Sequence, residues 1–173
     1  MMSDEFGLLP DIRKHLEKGV TMTVNEIMTK EVGVCAPQNP IEAAAKIMRD
    51  RKCGFVPVVD AHGAVVGVIT DRDICNAVAL KHRTAEHIGV RDVMSHPIFT
   101  CFTDENVKSV LVTMAKHHVR RLPVLDKSGH LQGVLSMDDV VLAPHRRGSP
   151  TSDEVVEALK GICGPRQFEP VSA

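Results

Sequence analysis

The residues of this chain whose types and spacing could do chemistry sit in two short stretches, GVITDRD at 67–73 and GVLSMDD at 133–139. Each sets a glycine, a hydroxyl and a carboxylate at the same offsets: Gly67, Thr70 and Asp73 in the first, Gly133, Ser136 and Asp139 in the second. At the start of a helix such a pair is a cap, in which the hydroxyl accepts a backbone N–H and the carboxylate favours the positive end of the helix dipole. The same atoms could take a ligand, because a carboxylate there can accept both hydroxyls of a ribose while helix-terminal amides attract an anion. Capping and binding are compatible, so the local pattern leaves both open. Capping does not account for the nearby cations. Arg72 lies inside the first stretch, where the second has Asp138, and Arg120 and Arg121 precede a second apolar run, where a guanidinium could grip a phosphate through two N–H groups.

Other reactive side chains are scattered. There are nine histidines, of which His117 and His118 are adjacent. On a helix they would point about 100° apart, which prevents them from sharing a metal, although one could approach a phosphate. No histidine pair stands at ligand spacing from a carboxylate, so no metal site is expected. The five cysteines include no CxxC pair, an arrangement that suits a reducing compartment. Cys35 and Cys101 occupy equivalent positions, where small buried side chains are expected and a redox or metal-dependent sensor is the alternative. GxSxG, P-loop and GxGxxG patterns are absent, and catalysis is not expected.

The elements that must position these residues are duplicated. At a constant shift of 66, residues 24–74 lie over 90–140 without a gap. Eleven pairs are identical, among them Val24/Val90, Met28/Met94, Cys35/Cys101, Pro57/Pro123, Asp60/Asp126, Gly63/Gly129 and Gly67/Gly133. In each copy a helical stripe comes first, Ile41, Ala44, Ala45 and Met48 or Val107, Val110, Leu111 and Met114, with Asn39 and Asp104 as expected caps. A hairpin follows, FVPVVD to AVVGVIT or LPVLD to LQGVLS, then a second helix. The unit reads strand, helix, strand, strand, helix. At 51 residues it is shorter than the ~60 at which a domain is already marginal, so the copies are expected to share one core.

Around the repeats, residues 1–21 are an N-terminal extension with a possible helix over 11–18, and 144–173 hold a basic linker, a short helix and a tail. The two units run over 22–81 and 88–143. Thr151 and Glu154 form a capping box for an amphipathic helix carrying Val155, Val156 and Leu159, a candidate partner surface. With 21 basic and 22 acidic side chains, the near-neutral chain gives no reason to expect nucleic acid or a membrane as partner. The absence of a long apolar run or a secretory signal pattern points to the cytoplasm.

The ordered recurrence of VNEIMT and VRDVMS, of FVPVVD and RRLPVLD, and of the two glycine–hydroxyl–aspartate stretches resembles a tandem pair of cystathionine β-synthase (CBS) domains, a Bateman module, over residues 24–143. The resemblance implies an α+β (α/β) fold of two pseudo-symmetric β-α-β-β-α repeats packed sheet to sheet, with a cleft between them. It implies a regulatory module that binds an adenosine-containing ligand there, AMP, ADP or ATP, with S-adenosylmethionine or NAD as further options and no required cofactor. Asp73 and Asp139 would hold ribose, with Thr70 and Ser136 beside them, and Arg121 and Arg72 would meet phosphate. The adenine slot would lie near Val34, Cys35 and Ala36 in one copy and Thr100, Cys101 and Phe102 in the other. Because Gly54 and Phe55 stand where the second copy has Arg120 and Arg121, the site on Asp139 and Arg121 is expected to prefer phosphate and the Asp73 site to be weaker. The resemblance further implies a homodimer and a regulated protein partner. A purely structural dimerisation module with empty clefts is the alternative.

Overall fold

The computed structural model describes residues 21–164, so the N-terminal helix expected over 11–18 and the tail after Gly164 lie outside the described residues. The elements, in chain order, are α1 (Val24–Ile27), α2 (Ile41–Arg51), β1 (Phe55–Val59), β2 (Val65–Thr70), α3 (Asp71–Lys81), β3 (Cys101–Phe102), α4 (Val107–Lys116), β4 (Arg121–Leu125), β5 (Leu131–Ser136), α5 (Met137–Leu142) and α6 (Ser152–Cys163). The fold is α+β. No described helix is long and apolar enough to cross a membrane.

The two hairpins are built alike to the residue. In the first, β1 and β2 run antiparallel with Phe55 opposite Thr70 and Val58 opposite Gly67; in the second, β4 and β5 place Arg121 opposite Ser136 and Val124 opposite Gly133. Each turn depends on one aspartate. Asp60 accepts the amides of His62 and Ala64, both at 2.9 Å, and Asp126 those of Ser128 and His130 at 2.8 and 3.0 Å. These bonds hold both carboxyls below the ordinary aspartate range. The turns close through Gly63 and Gly129 at φ of 83° and 84°, where a side chain would be strained. The strand expected before each helix is short. It is the two-residue β3, parallel to β4, in the second repeat, and a single parallel bridge from Cys35 to Val58 in the first.

The residues expected to cap α2 and α4 do other work. Asn39 accepts the amide of Ala36 at 2.7 Å, and the helix begins only after Pro40, whose backbone is extended. In the second repeat Asn106, the counterpart of Pro40, accepts the amide of Lys108 at 3.0 Å, while Asp104 pairs with Lys127. Each helix therefore begins one to two residues later than the sequence pattern indicates, after a turn closed by Asn39 N–H on Ala36 in one repeat and Glu105 N–H on Phe102 in the other.

The described residues form two cores, which corrects the expectation of a single shared one. One gathers Ile41, Ala44, Met48, Val56, Val58 and Ile69 with Ile88 and Val90; the other gathers Val107, Val110, Leu111, Met114, Leu122, Val124 and Leu135 with Met22, Val24 and Met28. Each repeat's lead-in has thus crossed into the other repeat's core. The crossing is symmetric bond for bond: Val24 N–H donates to Glu105 and Val90 N–H to Asn39, while Val107 N–H donates to Met22 and Ile41 N–H to Ile88. At the far edge of each sheet, Thr29 pairs with Val134 and Ser95 with Val68. A unit too small to enclose its own core is completed by its twin.

This exchange explains the paired glycines. A Cβ on Gly133 would lie 2.4 Å from the Thr29 carbonyl oxygen, and one on Gly67 would lie 2.6 Å from Met94 Sδ. Helix α6 forms its expected capping box, with Thr151 N–H on Glu154 Oε2 at 2.7 Å, and packs Val155 and Leu159 against the second core while Val156 stays exposed. Ala158 and Ile162 are buried in the second core, and Gly161 lets the helix close on Ala115 of α4. Arg146, from the basic linker, pairs with Glu26.

Gly133→Ala meets backbone, whereas Gly67→Ala meets the movable end of a methionine. Urea unfolding is expected to place the first about 1–3 kcal/mol below the wild type and the second closer to it.

Candidate functional site

Thr70 ends β2 and Ser136 ends β5, so each hydroxyl lies at the junction of a strand with a helix, α3 or α5. Both motifs fold into capping boxes. Asp73 Oδ2 accepts the Thr70 amide at 2.9 Å and its hydroxyl at 2.8 Å; Asp139 Oδ2 accepts the Ser136 amide at 2.7 Å and its hydroxyl at 2.6 Å. In return Asp73 N–H and Asp139 N–H each donate to the hydroxyl at 3.2 Å. The cap thus uses one carboxylate oxygen in each copy. The second oxygens differ: Asp139 Oδ1 accepts the Thr29 hydroxyl at 3.1 Å, and Asp73 Oδ1 has no hydrogen bond among the described residues.

A cleft of about 1300 Å³ opens between the repeats. Its first wall is the Asp73 motif, with Thr70, Asp71, Arg72 and Asp73 beside Phe55; its second runs from His117 to Pro123 and carries Arg120 and Arg121. Ser95 to Phe99, in the lead-in of the second repeat, makes the third, where Phe99 stacks on His117 with ring centroids 3.8 Å apart. Ile162, Cys163 and Gly164, at the end of α6, make the fourth, and Arg120 Nη2 donates to Cys163 Sγ at 3.4 Å. Three guanidiniums and three imidazoles face two carboxylates, so the cleft suits an anion, and Phe55, Ile98, Phe99 and Val119 supply apolar surface. Among the described residues, no three His, Cys, Asp or Glu side chains converge to hold a metal.

Of the side chains expected at the site, the cleft brings together Thr70, Arg72, Asp73, Arg120 and Arg121. Ser136, Asp138 and Asp139 do not line it, so the guanidiniums share a cavity with Asp73 rather than forming a cavity with Asp139. Val34, Cys35, Ala36, Thr100, Cys101 and Phe102 do not line it either. Cys35 and Cys101 are 4% and 1% exposed and belong to the two cores, because alternation along an extended segment turns one side chain inward and leaves Val34 and Phe102 exposed. The Ile162–Gly164 wall carried no signal in the repeat pattern, since it lies outside the duplicated unit, and the Ser95–Phe99 wall, which the shift lays over residues 29–33, was missed because only Ser95 of it belongs to a recurring motif.

Burial pushes the Cys35 thiol up to about 11, and burial with the nearby Glu105 carboxylate pushes Cys101 up to about 12. Such thiols are poor nucleophiles at neutral pH, which argues against the redox alternative. In the unfolded chain they ionise near 9.0, so their contribution to stability is full below that pH and is lost as pH rises through the folded values. Native-state alkylation near neutral pH is expected to label Cys53, Cys75 and Cys163 rapidly and the other two only on unfolding. Rapid labelling of Cys35 or Cys101 would restore a thiol role.

Comparison with known proteins agrees with this architecture. A family model described as "CBS domain" matches residues 24–80 and 90–146. The chain is 35% identical over 118 residues to the homoserine O-acetyltransferase of Methanococcoides burtonii, a match covering 68% of this chain but only 23% of that protein's length. The CBS domain pair of protein MJ0100, solved in complex with 5′-methylthioadenosine and S-adenosyl-L-methionine, is 31% identical with a TM-score of 0.61, covering 70% of this chain and 94% of that one. CBSX2 in complex with AMP is 26% identical with a TM-score of 0.59, covering 69% and 93%. With both repeats matched and the same fold in both solved pairs, the chain belongs to the CBS-domain family as a tandem pair of CBS domains.

Proposed function

We propose that this chain is a regulatory module that binds an adenosine-containing, phosphorylated ligand of the AMP, ADP or ATP class in the cleft between its repeats. The observation that carries the reading is that one cavity holds the Asp73 motif on one wall and Arg120 and Arg121 on another. The two CBS-pair structures solved with adenosyl compounds support the ligand class. In this reading Asp73 Oδ1 accepts the ribose hydroxyls while Oδ2 continues to cap α3. The guanidiniums of Arg120 and Arg121 take the phosphate, aided by the N-terminal end of an 11-residue helix. Phe55, Ile98 and Val119 offer apolar contact to the base.

Binding then acts as a bridge. A ligand that touches both repeats, including the second repeat's lead-in, favours the arrangement in which these walls are all in reach, and the bias is passed to a regulated partner protein or to a second copy in a homodimer. The chain supplies no catalytic step in this account.

The protein contains neither Trp nor Tyr, so a nucleotide that co-purifies stands out in the near-ultraviolet spectrum. In titrations, Arg121→Gln is expected to weaken ATP by ~10-fold or more, the loss of one charge-assisted bond, and adenosine by less than about twofold. Equal losses for both ligands, or no stabilisation by ATP, AMP or S-adenosylmethionine in thermal unfolding, would sink the reading and favour a purely structural module.

A further inference from the structure

The pseudo-two-fold relation sets an internal control on the site. Under the 66-residue shift, Thr29 corresponds to Ser95 and Asp73 to Asp139. Both lead-ins cross to the opposite hairpin, so Thr29 approaches the Asp139 motif as Ser95 approaches the Asp73 motif. Their side chains act differently. Thr29 Oγ1 donates to Asp139 Oδ1 at 3.1 Å, whereas no hydrogen bond joins Ser95 to Asp73 among the described residues, and Ser95 faces the open cleft. Asp139 therefore has a partner on each oxygen, the Ser136 amide and hydroxyl on Oδ2 and Thr29 on Oδ1. A ribose there would have to displace the Thr29 hydroxyl, while at Asp73 it meets an open oxygen.

Three further differences act in the same direction. By the same shift, the first repeat has Gly54 and Phe55 at the positions of Arg120 and Arg121 and so offers no guanidinium from them, and the nearby Arg51 Nη1 already donates to the Glu31 carbonyl at 2.9 Å. The helix behind Asp139 has 6 residues against 11 behind Asp73, a shorter stack of aligned peptide dipoles. Finally, α6 walls the Asp73 cleft through Ile162 to Gly164 and has no counterpart after the first repeat.

We propose that each chain takes a single nucleotide, at Asp73, and that Thr29 is the residue that keeps the second motif closed. This reverses the order of site strengths expected from the sequence, and it rests on the nucleotide-binding reading above. The duplicated motif is thereby divided in role: the Asp73 copy binds and caps, and the Asp139 copy caps and fastens the crossed lead-in. Thr29 is a specificity-determining residue for stoichiometry, acting by occupying an acceptor and not by touching the ligand.

Calorimetric titration of the full chain with ATP, and separately with AMP, tests this. The expected result is one site per chain, lost in Asp73→Asn, which retains a side-chain oxygen for the cap, and kept within about twofold of wild-type affinity in Asp139→Asn. Thr29→Val keeps the β-branched shape and removes the hydroxyl. It is expected to expose a second site at least ~10-fold weaker than the first, abolished again in the Thr29→Val/Asp139→Asn double variant. Two sites in the wild type, loss of the single site in Asp139→Asn but not in Asp73→Asn, or a Thr29→Val protein that still binds one nucleotide would overturn the proposal. No binding of either nucleotide by the wild type would instead overturn the nucleotide-binding reading. Circular dichroism of each variant separates lost binding from lost fold.

Discussion

Two antiparallel backbone pairs, Thr29 with Val134 and Ser95 with Val68, fasten each repeat's lead-in to the other repeat's hairpin, and the rest of the molecule depends on that exchange. Each hairpin gains an edge partner for its second strand, and each core receives apolar side chains that its own repeat cannot supply: Met22, Val24 and Met28 on one side, Ile88 and Val90 on the other. The two cores are therefore separate in space but not separable in the chain. The exchange also imposes a steric condition on the strands it touches. At Gly133 the Thr29 carbonyl occupies the space of a Cβ, and at Gly67 the Met94 side chain does the same. The first residue of each glycine–hydroxyl–aspartate stretch is thus explained by packing, before any ligand is considered.

The other two residues of the stretch show how one set of atoms can serve stability and recognition together. A carboxylate has two oxygens, and the capping box needs one. What the remaining oxygen does is decided by neighbours that are distant in sequence. At Asp139 it is met by Thr29, 110 positions away; at Asp73 it borders a cleft whose other walls come from the second repeat, its lead-in and α6. Two motifs alike in sequence and in cap geometry therefore differ in chemistry because their surroundings were not duplicated.

Much of the fold was legible in the sequence because the repeat doubles every local signal. The turns follow from Asp60 with Gly63 and Asp126 with Gly129, and the second helices from Thr70 with Asp73 and Ser136 with Asp139. All of these rest on contacts within a few residues. The cap assignments at Asn39 and Asp104 failed for a related reason: a polar residue near a helix start has several amides within reach, and Asn39 takes that of Ala36 rather than one in the helix. The resemblance set the cysteines near an adenine slot, whereas the expectation from their residue type, small buried side chains, is the one met: both point into the cores.

By itself the sequence determined the duplicated unit, its hairpins and caps, and the residue types available to meet a ribose and a phosphate, since these depend on spacing along the chain. Only the tertiary structure decided that the lead-ins cross, that Arg120 and Arg121 face Asp73, that α6 closes the cleft and that Asp139 is already engaged. Those four outcomes join residues far apart in sequence, and two copies of one local pattern cannot encode how they will differ once each is packed against the other.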